Sequence, residues 1–293
     1  MDSSLSRRVK QTIFNFKINV EAKGEKDGVY TLDYERGRYR QRELVGLIRD
    51  SVPYFSLTPD EIKSIDPSER NRRAFYRISE ANEKSKGDYG ELLLFLILNI
   101  FYEVPKFVTK ARLRSTNREQ IKGFDCAHFS KDEKGIVLWL GEAKFHKSIS
   151  GAVSSASQSL SEHFSDVERV KSELRLLGGE IEINKGMEPE LYEELESYTL
   201  GNKSLDKVRI SIPVLLTYDS STIKYFCGDE SSNIESELFY EKMCIEIEKH
   251  FGKIESKQWP GHETIDVCFF IVPLECVETL KEEIAFIEAA MRF

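Results

Sequence analysis

The chain has 293 residues, 40% of them apolar and 31% charged. That is long enough to bury a core without disulfide or metal staples, and too balanced for a collagen-like, coiled-coil or wholly disordered chain. The formal net charge of −8 argues, taken alone, against a nucleic-acid partner, but it is polarised: residues 1–150 hold 28 Lys and Arg against 22 Asp and Glu, and residues 151–293 hold 14 against 28.

In chain order, residues 1–80 read as a mixed α/β accessory segment. Thr12–Ala22 alternates apolar and polar residues like a strand, Gly24–Gly28 follows as a turn, and Arg40–Asp50 has helical spacing. Pro53, Pro59 and Pro67 are expected to break regular structure, and an arginine-rich helical pattern begins at Asp66 and reaches Arg77. From residue 81 to 293 a second unit is expected. Gly87–Tyr102 is too long and too leucine-rich for a strand and reads as a buried helix stopped by Pro105. Three strands follow, Phe107–Arg114, Ile121–Ser130 and Gly135–Phe145, and then an amphipathic helix over Ser148–Leu177 ended by Gly178-Gly179. A linker and an acidic helix (Pro189–Tyr198) lead to a buried strand at Val208–Tyr218, a helix at Glu235–Phe251, a short strand at Asp266–Pro273 and a last helix from Leu274 towards Phe293. The fold expected is α/β with a mixed sheet: an α-β-β-β-α-β core with helices on both faces and an N-terminal elaboration.

Cys126, Cys227, Cys244, Cys268 and Cys276 form no CxxC pair and suit reduced, mostly buried thiols. The N-terminus lacks an apolar signal-peptide core, and the longest apolar run, Leu92–Leu98, is far short of the ~20 residues that cross a bilayer. A soluble cytoplasmic protein with no membrane partner is expected.

The third strand of the core carries the most chemistry. Val137–Leu140 is apolar on both faces, as in a central, doubly covered strand, yet Glu142 and Lys144 emerge from one face at its end. Charges there are costly to desolvate unless paired or bound to a metal. Asp125 is embedded in the neighbouring strand, and a turn near residue 133 sets it opposite residue 141 or so, beside Glu142. Two carboxylates and a lysine at a sheet end suit Mg²⁺ or Mn²⁺ and the hydrolysis of a phosphodiester. A surface ion pair at an exposed strand end would leave the same Glu-Ala-Lys tripeptide.

Asp125 followed by Glu142-Ala143-Lys144 resembles the PD-(D/E)XK nuclease signature, with Gly123-Phe124-Asp125 in place of Pro-Asp. Glu91, in Gly90-Glu91-Leu92, resembles the acid that such nucleases place on their first core helix. Gln158 resembles a glutamine of the exonuclease-like branches, although position 162 is glutamate where those carry an aromatic residue. More closely, Gly87-Asp88-Tyr89-Gly90-Glu91-Leu92, Lys122-Gly123-Phe124-Asp125 and Gly141-Glu142-Ala143-Lys144-Phe145 resemble the HamA family, nuclease subunits of Hachiman anti-phage defence. The resemblance implies a restriction-endonuclease-like core and catalytic residues Glu91, Asp125, Glu142 and Lys144. It also implies Mg²⁺ (Mn²⁺ as an alternative) on the three carboxylates, and a HamB-like superfamily 2 helicase that licenses non-specific DNA degradation. A catalytically inactive DNA-binding or scaffold subunit and a toxin-type RNase on the same core are the alternatives.

Further DNA contacts are drawn from Lys110, Arg112 and Arg114, which share a strand face, and from His146, Lys147 and Gln158. The first three lie in a basic stretch with Lys106, Arg118 and Lys122, and a solvated strand face gives the same pattern. Arg70, Arg72, Arg73 and Arg77 form a helical basic cluster that a solvated face or a partner contact also explains; His128 and His146 flank the motif. No Gly-rich phosphate loop, Ser/His/Asp spacing or zinc pattern occurs. The acidic second half is expected to face a protein partner or to restrain DNA binding by the free subunit.

Overall fold

A computed structural model describes residues 1–21, 23–80, 88–104, 106–109, 126–164, 193–194, 197–198, 202–203, 208–260 and 265–291. The expected helices at Pro189–Tyr198 and beyond residue 164 therefore lie largely outside the described residues, as do Lys110, Arg112, Arg114, Arg118, Lys122 and Asp125.

The chain opens with a helix that the alternation pattern does not reveal. The Asp2 carboxylate accepts from the Leu5 N–H at 2.7 Å and caps α1 (Ser3–Thr12), which buries Leu5, Val9 and Thr12 on one stripe. The strand expected over Thr12–Ala22 shrinks to β1 (Phe14–Asn15), paired antiparallel with β2 (Gly28–Thr31). A small hairpin, β3 (Tyr34–Glu35) and β4 (Arg38–Tyr39), leads into α2 (Gln41–Ser56). Pro53 does not break α2: in the last turn it forfeits only one backbone donor, and its own carbonyl still accepts from Leu57 N–H at 3.0 Å. Pro59 and Pro67 instead begin α3 (Pro59–Ser64), opened by a Thr58/Glu61 capping box, and α4 (Pro67–Glu80).

The core that follows has the expected element order. α5 (Asp88–Phe101) precedes the antiparallel run β5 (Lys106–Thr109), β6 (Cys126–Asp132) and β7 (Gly135–Lys144), and α6 (Ile149–His163) then crosses over to β8 (Arg209–Asp219), parallel to β7. α7 (Ser221–Phe226), α8 (Glu237–Glu255), β9 (Ile265–Leu274) and α9 (Val277–Met291) complete the chain. The sheet order is β1-β2-β9-β8-β7-β6-β5, so the antiparallel meander lies on one side of β7 and the parallel strands on the other. β2 pairs parallel with β9, Gly28 opposite Phe270, and so the first 80 residues extend the same sheet and feed the same apolar core.

Ring contacts identify the two layers. Phe270 of β9 stacks on Tyr102, just past α5, at 5.0 Å, and Phe269 meets Trp259, just past α8, at 4.7 Å. Along the parallel register, Ala143, Leu215 and Phe270 thus face α5, while Glu142, Val214 and Phe269 face the layer of α6 and α8.

Gly141 sets how closely α5 can approach β7. A Cβ there would lie 2.5 Å from Cys126 Sγ and 2.7 Å from Leu94 Cδ2, both in the buried core. Gly141→Ala is therefore expected to destabilise the fold by about 1–3 kcal/mol through overpacking. Denaturant unfolding of the full chain reads this directly, and an unchanged midpoint would contradict it.

Candidate active site

β7 is buried on both faces for most of its length, and its neighbours β6 and β8 satisfy its backbone. At its end the Glu142 side chain is 3% exposed and forms an ion pair with Lys144 Nζ, whose side chain is 18% exposed. The period-2 alternation puts both groups on the α6 face, beside Val214 and Leu216 of β8. Low exposure makes the pair a desolvated one, whose attraction is far stronger than that of a surface bridge and whose disruption is correspondingly costly.

Glu91 approaches from the opposite layer. Gly90 lies against the strand end, where an added Cβ would sit 3.3 Å from Ala143 Cβ and 3.4 Å from Phe145 Cβ. Glu91, the next residue, is 3% exposed. One turn later Phe95 stacks on the buried His128 of β6, ring centroids 6.2 Å apart, so Glu91 belongs to the helix face turned towards β6. The last described pair of the β6–β7 ladder is Cys126 opposite Gly141, adjoining Glu142; Asp125, the residue before Cys126, is outside the described residues. Glu142 and Lys144 thus share the α6 face at the end of β7, and Glu91 lies in the α5 layer beside the same strand end. Among the described residues no group of three His, Cys, Asp or Glu side chains is arranged to hold a metal.

The segment after the strand is held by β8. Thr217 Oγ1 donates to the Lys144 and His146 carbonyls at 3.4 and 3.2 Å, and Asp219 N–H donates to the Lys147 carbonyl at 3.1 Å. His146 lies beyond the end of β7 rather than on its face; burial, then Lys281 and Lys144, pushes its imidazole below the usual range. Lys281 of α9 reaches over the Phe145 ring at 5.6 Å. Lys281 is itself paired with Glu278 at 3.2 Å. Lys147 is exposed beside the strand end, whereas Gln158 is exposed further along α6 and its amide donates to Glu162 at 3.0 Å.

The other basic candidates serve the fold. Lys106 Nζ donates to the Tyr54, Phe55 and Leu57 carbonyls at 2.6, 3.0 and 2.9 Å, closing the C-terminus of α2. Arg77 forks onto Glu61, Arg72 pairs with Glu69, and Arg70 donates to the Ile65 carbonyl.

A second polar cluster, which the sequence reading passes over, adjoins the site on the same sheet face. Glu246 of α8 accepts from Tyr218 and Ser220 hydroxyls (2.8 and 2.6 Å), from Ser221 (2.6 Å), and from Thr222 N–H and hydroxyl (2.8 Å each). Burial opposes its charge, but these donors win and hold its carboxyl below the usual range. One turn on, His250 packs edge-on against Tyr218 at 4.4 Å. Burial lowers its pKa to about 4, with Lys253 and Lys249 adding to that and Glu246 opposing it. Only the Asp-free spacing Glu246-x-x-x-His250 marks the pair in sequence, and it does not name the β8 and α7 donors.

A sequence-family model described as HamA matches residues 8–290, nearly the whole chain, and the chain belongs to the HamA family. No curated protein matches it. Among the described residues, no helix is long and apolar enough to cross a membrane.

Two outcomes follow from these electrostatics. Lys144→Ala strips a buried carboxylate of its ammonium and is expected to cost roughly 2–4 kcal/mol in urea unfolding, with Glu142→Gln milder and the double variant short of the sum. Because His250 is neutral when folded down to about pH 4, stability is expected to fall as pH drops from about 6.5 towards 4, where only the unfolded chain takes up that proton. Thermal unfolding of His250→Phe across that window should fall less steeply than the wild type; parallel curves would refute this.

Proposed function

We propose that this member of the HamA family is the metal-dependent DNA nuclease of a Hachiman anti-phage defence complex, licensed by a HamB-like superfamily 2 helicase and indifferent to sequence. The observation that carries the reading is the desolvated Glu142–Lys144 pair at the end of a central strand, with buried Glu91 brought to the same end by Gly90. A structural ion pair has no need of so buried a position; a hydrolytic centre does, because charges act strongly only where water is excluded.

The donor set consists of hard oxygens, which suits Mg²⁺, or Mn²⁺ in its place. Glu91, Asp125 and Glu142 would hold the ion, with help from the Ala143 carbonyl. Bound there, it would neutralise charge on the phosphate and make a water more acidic. Lys144 orients the attacking water: its oxygen forms the new bond to phosphorus, the phosphorus bond to the leaving oxygen breaks, and that oxygen takes up a proton. Membership of the HamA family supports the defence role, and the helicase partner and DNA substrate come with that reading.

The test is degradation of plasmid and of total RNA by the purified complex of this chain with its helicase. Glu142→Gln and Lys144→Met should each lower plasmid degradation by at least about a hundredfold, as loss of a charge-stabilising group does in other active sites. EDTA should abolish it and Mg²⁺ restore it. Titration calorimetry should show Mg²⁺ binding that Glu142→Gln weakens. Phage protection surviving both substitutions would point to a scaffold subunit, and intact plasmid beside degraded RNA would overturn the DNA assignment.

A further inference from the structure

Beside the strand end lies a cleft of about 660 Å³, walled by the start of α6, the end of β8, α7 and α8. Its walls carry Lys147, Lys242 and Lys249, and among the described residues none of the three has a carboxylate within salt-bridge distance. The cleft opens on the same sheet face as the proposed centre: Lys144 pairs with Leu216 of β8, and Tyr218, two residues on, lines it.

Three observations distinguish this cleft from an ordinary surface groove. The first is the charge pattern of α8. Lys242, Lys249 and Lys253 recur at intervals of seven and four, one stripe of the helix, while Glu237, Glu241, Glu248 and Glu255 fall on another about 120° away. Lys253 Nζ donates to Ser150 Oγ at 3.0 Å, which turns the lysine stripe towards the N-terminus of α6, itself capped by Ser148 and positive by its dipole.

The second is His250. It is 8% exposed and lines the cleft, yet neither ring nitrogen has a hydrogen-bond partner. Buried polar groups in native proteins are almost always paired, and leaving one unpaired is costly, so the cleft holds an unmet donor and acceptor. The third is Tyr225, a residue 63% exposed on the rim, with Lys242 Nζ 4.3 Å from its ring centroid. An exposed aromatic ring braced by a cation, beside lysines in a concave wall, is the composition of a single-strand binding groove, where bases stack and phosphates meet cations.

We propose that this cleft is a nucleotide subsite for single-stranded DNA adjoining the scissile position: Tyr225 stacks a base, Lys147, Lys242 and Lys249 meet phosphates, and His250 bonds the nucleotide from the floor. The assignment rests on the nuclease reading for its substrate class and adds to it the direction in which the strand leaves Glu142 and Lys144. The saturated Glu246 cluster forms the rigid floor and keeps its charge away from the phosphates by turning it towards five donors.

The experiment uses the full-length chain in EDTA and a fluorescent 12-nucleotide oligothymidylate carrying 5-iodouracil. Irradiation should crosslink the oligomer to Tyr225, located by mass spectrometry. In anisotropy titrations, Tyr225→Ala and the double variant Lys242→Ala/Lys249→Ala should each weaken binding by on the order of tenfold, and the lysine variant should also flatten the salt dependence. Tyr225→Phe should bind like the wild type, and His250→Phe should weaken binding with unchanged thermal unfolding at pH 7.5. Absence of a Tyr225 crosslink, or unaltered binding in both the tyrosine and the lysine variants, overturns the subsite. So does a result in which these variants bind DNA normally but lose association with the helicase, since the cleft would then dock protein. Binding that follows the expected pattern without cleavage in Mg²⁺ by the complex would instead refute the nuclease reading and leave the subsite standing.

Discussion

A carboxylate and an ammonium at the end of a strand buried on both faces dictate much of the architecture around them. Water cannot solvate Glu142, so the fold must supply what water would: an ammonium two residues on, an ordered backbone on either side, and a rigid approach for every neighbouring group. Each cover of β7 answers one of these demands. α5 closes one face, with Gly141 leaving no room for a Cβ between them and Gly90 close against Ala143 and Phe145. α6 closes the other, and β8 anchors the chain between them through Thr217 and Asp219. The buried pair is not a stabilising ornament, because apolar residues of similar volume would cost less at that position. On the proposed reading, the pair serves chemistry rather than stability.

The parts of this arrangement that were legible in the sequence are the parts with a local signature. A long leucine-rich run is a buried helix wherever it packs, and an apolar strand ending in Glu-x-Lys puts both charges on one face by periodicity alone. What the sequence concealed is non-local. Lys106 looks like one cation of a phosphate-binding face, yet it spends all three of its donors on α2, some 50 residues away in the chain. Arg77 is likewise consumed by Glu61. α1 was hidden because its cap, Asp2, lies at the very start of the chain and its stripe has only three buried residues. The pairing of β2 with β9 joins residues about 240 apart, and no period marks it.

The same distinction separates the two polar clusters. Glu91, Glu142 and Lys144 belong to a pattern of residue types at fixed element positions, so they can be proposed before any coordinates exist. Glu246 and His250 are one turn of an amphipathic helix in sequence, no different from many others. Their character comes from Tyr218, Ser220, Ser221 and Thr222, which reach them only because β8 ends and α7 begins beneath α8. The fold turns an unremarkable pair into a saturated carboxylate beside a desolvated imidazole.

Net charge is a poor guide to such a surface, and α8 shows why. The second half of the chain is strongly acidic, yet the glutamates of α8 and its lysines occupy different sides of a helix about 10–12 Å across. At physiological ionic strength the Debye length is ~8 Å, so a ligand in the cleft sees the near lysines and little of the far glutamates. On the proposed reading, the helicase delivers a strand to this cleft, where the near lysines rather than the net charge of the chain decide how it is held.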